Sequence, residues 1–210
     1  MASVQKFTEK AVLNQLRHNA RMIWNPANPD IDHQKSECNY SLAPDRGISA
    51  YDYFKQRKSE LYCYRREDVK VMAGWVVTAP KGLPPDRQED FFRAVYQFLS
   101  ERYGKENCIQ AIVHKDESGQ PHLHYCFIPV SPDKKHGGEK VCANEVLNRQ
   151  ELRNFHPQLQ KYLNEQGIPV KIMTGITAKQ GGNRSVKEMK EERKWARTLM
   201  PEHTPERGRW

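Results

Sequence analysis

The sequence predicts an α+β domain with a central antiparallel sheet flanked by helices, and three observations carry that expectation. Two apolar runs, residues 109–113 and 125–130, are separated by the turn formers Asp116-Glu117-Ser118-Gly119-Gln120-Pro121, the pattern of two paired strands. A third run, residues 71–78, has the length and β-branched content of a buried strand. Finally, Phe91, Val95, Phe98, Leu99 and Tyr103, and then Leu152, Phe155, Leu159 and Leu163, recur at helical spacing.

In chain order, residues 3–7 read as a short first strand of the central sheet. Thr8 caps a helix with Glu9 in its first turn, and Val12, Leu16 and Ile23 extend the pattern. His18 and Arg21 then stand i, i+3 on one helix face. Residues 24–36 read as a loop, because Asn-Pro and Asn-Pro-Asp interrupt any helix. Asn39-Tyr40-Ser41-Leu42 is an extended piece before a turn at Pro44-Asp45-Arg46-Gly47. Residues 49–63 read as helix, Pro84-Pro85-Asp86 starts the next one, and Gly104 caps it. After the strand pair comes a basic loop, Asp133-Lys134-Lys135-His136-Gly137-Gly138, whose charge suits a phosphate-facing lid. A long helix follows over residues 147–166 and stops at Gly167, with a break or kink expected near His156 because Pro157 lies inside it. Residues 170–173 read as a final strand and Gly181-Gly182-Asn183 as a hinge. Ser185 opens a basic terminal helix carrying Lys187, Lys190, Arg193, Lys194 and Arg197, with Arg184 just before it. The tail after Pro201 reads as loose. The expected organisation is a catalytic domain over residues 1–180 and a basic helical extension over 181–210.

The formal net charge of +8 favours a polyanionic partner. Aromatics at 10% and the periodic segments argue against general disorder. No apolar run is long enough to span a bilayer and no secretory leader is recognisable, so the expected location is cytoplasmic. Cys38, Cys63, Cys108, Cys126 and Cys142 are scattered without a Cys-x-x-Cys pair, which reads as reduced thiols.

The chemistry concentrates in the strand pair. Side chains alternate across a strand, so His122 and His124 point to one face and Leu123 to the core. His114 ends the neighbouring strand and can lie beside them. Three imidazoles converging from paired strands make a facial site for a divalent ion with positions left open for substrate; their spacing does not choose among Zn²⁺, Mn²⁺ and Mg²⁺.

Three pieces stand in order: His18-Asn19-Ala20-Arg21, Asn39-Tyr40-Ser41-Leu42, and His114-x-Asp116-Glu117 with Pro121-His122-Leu123-His124. Together they resemble the motifs of MobV-type relaxases, the Mob/Pre plasmid mobilisation and recombination proteins. Asn28-Pro29-Asp30-Ile31-Asp32 and the Asn148-Arg149 helix start are similar to that family as well. His122-Leu123-His124 resembles the signature of the wider HUH endonuclease superfamily, which implies the antiparallel sheet flanked by helices. One departure stands out: the turn between His114 and His122 is one residue longer than the family pattern, at Ser118-Gly119-Gln120. The loop or a bulge can absorb that residue, or it displaces His114.

The resemblance implies nicking of one DNA strand at a transfer origin, with the 5′ phosphate carried on the enzyme and rejoined at the end of transfer. An ion on His114, His122 and His124, expected as Mn²⁺ or Mg²⁺, would polarise the scissile phosphate, and Arg21 would pair with it. The family places the nucleophile on His18, with Glu117 accepting the other ring proton and Asp116 serving the turn or a supporting role. Tyr40 is the alternative nucleophile. Attack needs unprotonated imidazole, so activity is expected to fall below an apparent pKa of roughly 6.5, moved upward if Glu117 stabilises the imidazolium. DNA contacts are expected at Arg21, Lys134, Lys135, Arg184, Lys187, Lys190 and Arg193. Origin-of-transfer DNA, single-stranded at the nick, is the implied partner, with a conjugation coupling protein as a further candidate. Competing readings are a replication-initiator-like nickase using Tyr40, a zinc hydrolase of small substrates, and a non-enzymatic nucleic-acid-binding module.

Overall fold

Five strands build the central sheet of the computed structural model, which describes residues 2–23, 28, 30–168 and 170–172. They are β1 (Ala2–Thr8), β2 (Tyr40–Ser41), β3 (Lys70–Thr78), β4 (Cys108–His114) and β5 (His122–Phe127). Their spatial order is β1-β3-β5-β4-β2, and every neighbouring pair is antiparallel. The sheet is therefore the antiparallel one expected, flanked by helices on both faces.

The two faces have separate cores. Ala73, Trp75, Val77, Ala111, Val113, Leu123, Tyr125 and Phe127 point to one face, which α3 (Gln88–Tyr103) and α5 (Arg149–Glu165) cover. Met72, Cys126 and Ile109 point to the other, covered by α1 (Glu9–Asn19) and α2 (Ala50–Ser59). Burial on both faces explains why β3 is a continuous apolar run and not an alternating one. Gly74 in its centre leaves room for Phe7: an added Cβ would stand 3.2 Å from the Phe7 ring.

Side-chain caps open two of the helices, whereas Thr8, expected to cap α1, stands at its N-cap without a side-chain cap hydrogen bond. Ser49 caps α2 by accepting from the Asp52 backbone N–H, and Asn148 caps α5 by accepting from that of Glu151. A 3₁₀ turn, Pro85–Arg87, leads into α3, which ends at Gly104 with φ of 90°. On the α3/α5 face the Phe155 ring stacks on Trp75 with centroids 3.6 Å apart. The Trp75 indole N–H donates to the Tyr103 hydroxyl, which donates to Glu151, so the polar tips of these aromatics are satisfied inside the core.

Several expectations are corrected. The helix expected to run through Ile23 stops at Asn19, and α2 stops at Ser59 instead of reaching Cys63. Within the expected loop of residues 24–36, His33–Cys38 winds into a 3₁₀ turn with Asp32 as its cap. The run to Val130 splits: β5 ends at Phe127, and Val130 begins a small hairpin of β6 (Val130–Pro132) and β7 (Glu139–Val141), joined by the basic loop. The helix expected over 147–166 is α5, and a short, unexpected α4 (Ala143–Val146) precedes it. Pro157 does not break α5, whose apolar stripe Phe155, Leu159 and Leu163 is fully buried on both sides of it. Leu152 leaves the stripe and is 41% exposed. Val170–Ile172 forms no strand; Ile172 is instead buried beside the α5 core. Met173, the hinge glycines, the helix opening at Ser185, the tail and the boundary near residue 180 lie outside the described residues.

Phe155→Ala is expected to lower unfolding stability by about 3–5 kcal/mol, because it empties a site between Trp75 and Phe98. Leu152→Ala is expected to cost less than about 1 kcal/mol. Urea melts of the two variants check both values, and equal losses would contradict this assignment of the helix face.

Candidate metal centre

The β4–β5 register sets the site. His114 pairs directly with His122, and Ile112 with His124, so all three imidazoles emerge on the α1/α2 face. The extra loop residue is absorbed between the strands and leaves this register intact. Ring centroids are 5.4 Å apart for His114 and His122, 4.5 Å for His114 and His124, and 4.9 Å for His122 and His124. One nitrogen from each lies within 4.8 Å of the others.

The donor set fits a divalent ion. Burial pushes the His114 imidazole down to about 4 and holds His124 well below its ordinary value, so both stay uncharged at neutral pH with a lone pair to offer. The His114 Nε2–H donates to the Asn19 carbonyl at 2.7 Å, and His122 Nδ1 faces the Gln120 carbonyl at 3.1 Å. Such outer contacts fix ring tautomers and orientation. The lone pair left on His114 Nδ1 is the one that now accepts from Arg21 Nη2 at 3.0 Å. A second cluster, His114 with Asp116 and Glu117, fits less well, because the Arg21 cation already occupies the space between its carboxylates.

Arg21 is the hub of the surrounding network, and it stands just beyond α1 and not on its face. The helix closes with the Met22 N–H donating to the Arg17 carbonyl and the Arg21 N–H to that of His18, the double bond of a Schellman turn. Arg21 occupies the left-handed position, with φ of 56°, where glycine is usual. That conformation costs about 1–2 kcal/mol for a side chain with a Cβ. Its ion pairs offset the cost. Nε and Nη2 reach Asp116 at 2.8 and 2.6 Å, and Nη2 also reaches Glu117 at 2.8 Å. Nη1 is buried without a partner.

The carboxylate side is braced in turn. Asp116 is fully buried, receives Ser36 Oγ at 2.8 Å, and is held far below the usual carboxylate range by Arg21 and Ser36 against the effect of burial. Its carbonyl accepts from the Asp32 N–H, Ile31 bridges Glu117, and Asn39 Oδ1 accepts from the Lys115 N–H. Sequence reasoning missed Ser36, and treated Asn19 only as part of a motif. Asn19 is wholly buried, with its amide donating to Cys126 Sγ and its Oδ1 accepting from Gln15, which pins the end of α1 to the sheet. No local spacing signals either role, because both depend on contacts across the fold.

His18 sits half-buried at the end of α1 beside this cluster. Burial, then the Arg21 charge, lower its pKa, and they outweigh the upward pull of Glu117 and Asp116. The expected upward shift is therefore reversed. Tyr40 is not in the site. It pairs with Val113, whose side chain points to the α3/α5 face, and its ring packs on that core with the hydroxyl buried and unpartnered. Burial raises it to about 12. Lys134 and Lys135 lie in the β6–β7 loop beyond the opposite end of β5, so they form no lid over the histidines. Arg184, Lys187, Lys190 and Arg193 lie outside the described residues.

A five-stranded antiparallel sheet with helices on both faces, and a His-hydrophobe-His strand aligned with a third histidine, defines a relaxase-like HUH domain. Residues 1–194 match the Mob_Pre family, described as plasmid recombination enzyme, and the chain belongs to that family. It is 32% identical over 183 residues to a plasmid recombination enzyme of Lactiplantibacillus plantarum, covering 82% of this chain and 48% of that protein. It is 30% identical over 190 residues to one of Bacillus thuringiensis, covering 88% and 41%. The chain thus spans less than half the length of these relatives. Among solved structures it is similar to the MobM relaxase domain, bound to plasmid pMV158 oriT DNA in a Mn-bound crystal structure at pH 6.8. The TM-score is 0.73 at 25% identity, over 91% of this chain and 97% of that one. No helix of the described residues is long and apolar enough to cross a membrane.

The Asp116 carboxyl is depressed in the folded chain, so its stabilising contribution is fully present above the unfolded value near 3.9 and is lost as pH falls through and below it. Asp116→Asn is expected to be less stable at neutral pH and to lose less stability than the wild type between about pH 4 and pH 2. Urea melts across that range test this, and parallel pH profiles would refute it.

Proposed function

We propose that this chain is the DNA-nicking domain of a plasmid mobilisation and recombination enzyme. It would cut one strand at a transfer origin, hold the 5′ phosphate covalently, and rejoin the strand when transfer ends. The observation that carries the reading is the convergence of His114, His122 and His124 on one sheet face, beside His18 and Arg21, in a member of the Mob_Pre family.

In this reading the three histidines hold a divalent ion, Mn²⁺ or Mg²⁺. When bound, the ion acts as a Lewis acid on a non-bridging oxygen of the scissile phosphate. The residues of the chain do the rest. His18 attacks phosphorus through an uncharged ring nitrogen; a P–N bond forms, the bond to the 3′ oxygen breaks, and that oxygen leaves as an alkoxide that takes a proton from solvent water. Glu117, close enough to pull on the titration of His18, is the carboxylate proposed to take the other ring proton. Arg21 spends Nε and Nη2 on the protein's own acids, so Nη1 is the donor proposed for a phosphate oxygen. Attack by the 3′ hydroxyl on the phosphoramidate reverses the step and reseals the strand. Single-stranded origin DNA is the proposed partner, and hand-over to a conjugation coupling protein follows from the same reading. Lys134 and Lys135 remain proposed DNA contacts remote from the chemistry, as do Arg184, Lys187, Lys190 and Arg193. Incubation with a supercoiled plasmid carrying the cognate origin, with and without Mn²⁺, tests the whole; a plasmid left intact under both conditions would sink it.

His122→Ala and His124→Ala are each expected to abolish cleavage while weakening origin binding less than about tenfold, because phosphate contacts elsewhere carry most of the affinity. Calorimetry with Mn²⁺ is expected to register loss of the ion in the same variants. Cleavage that survives both substitutions would remove the histidines from the mechanism.

A His18 adduct carries a P–N bond, which is expected to hydrolyse in mild acid and to survive alkali better. His18→Ala is expected to lose both nicking and adduct, whereas Tyr40→Phe keeps them. Because the His18 pKa is lowered in the fold, nicking is expected to hold as pH falls to about 6.5 and to decline only below it. An acid-stable adduct on the peptide containing Tyr40 would transfer the role to tyrosine.

A further inference from the structure

At the end of β5 remote from the histidines, Tyr62, Tyr64 and His136 form a compact aromatic surface. The six residues of β5 put this end roughly 17 Å from His122. Tyr62 and Tyr64 are the exposed aromatic rings of the described residues, at 38% and 46%. They meet edge to face with centroids 5.2 Å apart, and the His136 imidazole stacks on Tyr62 at 4.1 Å and 27°. Exposed rings gathered in one place are unusual on a soluble domain and mark a contact surface.

The surface is built rigidly. Asp133 holds the His136 ring through Nδ1 at 2.8 Å and accepts from the backbone N–H groups of Lys135 and His136. The Tyr62 N–H donates to the Glu139 carbonyl, and the Tyr62 carbonyl accepts from Val141, so the tyrosine segment is tied to the β6–β7 hairpin. Its charge is one-sided. Arg65, Lys134 and Lys135 are exposed and make no ion pair among the described residues. The acids nearby are already engaged: Asp133 with His136, Glu139 with Arg57, Glu67 with Lys10, and Asp68 with Arg66.

We propose that Tyr62, Tyr64 and His136, with Arg65, Lys134 and Lys135, form a second DNA contact that stacks on unpaired bases of a single strand. The proposal rests on the nicking function argued above. Rigid rings with free cations beside them match a strand whose base faces are open and whose phosphates run alongside. The bases of a duplex are stacked on each other and offer no face, so duplex DNA is not the occupant.

The test uses the full chain and an oligothymidylate carrying a photoreactive iodouracil. Tyr62→Ala and Tyr64→Ala are each expected to weaken binding about tenfold with the salt dependence unchanged, while Tyr62→Phe binds as the wild type. Lys134→Ala and Lys135→Ala are expected to lower the salt slope by about 0.7 each. Photo-adducts should map to the peptides holding Tyr62–Tyr64 or His136. Ala variants that bind like the wild type, adducts confined to other peptides, or equal losses for duplex and single strand would each overturn it. Nicking of an origin plasmid without these adducts refutes this contact and keeps the nicking function; adducts without nicking do the reverse.

Discussion

The register between β4 and β5 is the constraint on which the site depends. Side chains alternate with a period of two, so one residue of slippage would send His114, His122 and His124 to different faces. The buried partners hold it in place: Ala111, Val113, Leu123 and Tyr125 have no exposure on the α3/α5 face, and a slip would drive the pair on the displaced strand toward the other layer. The same alternation that brings three imidazoles together sends Tyr40 to the opposite core. Packing on one face therefore positions chemistry on the other.

Arg21 links that sheet to α1. Its left-handed backbone is tolerated because the guanidinium answers the half-buried Glu117 and the fully buried Asp116, which would otherwise lack a counter-charge. The arrangement also keeps acids and imidazoles in separate roles. Asp116 and Glu117 are paired with a protein cation, and His114 and His124 are left uncharged by burial. His18 is half-buried and feels the same positive field; burial first and the Arg21 charge second make its ring easier to keep unprotonated than its acidic neighbours alone would suggest.

The polar loop over residues 133–138 illustrates how charge misleads without topology. Two lysines and two glycines close in sequence to the histidine strand suit a lid, yet the chain travels the length of β5 before reaching them. What they flank is a stacked imidazole and two open tyrosine rings. Pro157 is a similar case: it removes one hydrogen-bond donor from α5, but Phe155, Leu159 and Leu163 bury enough apolar surface to keep the helix continuous.

Much was legible in the residues themselves. Periodicity placed the strands, α3 and α5 within a few residues, and the spacing of His122 and His124 put both rings on one face, because alternation is a local property of an extended chain. The ordered motifs resembled the family that the chain proves to match. Contacts between distant segments were not legible. That Arg21 leaves the helix and closes on Asp116, that Ser36 and Asn19 brace the site, and that Tyr40 belongs to the other core all depend on which segments meet. Sequence spacing carries no information on that, because the partners lie some 80 to 107 residues apart and only packing of α1 on the sheet brings them together.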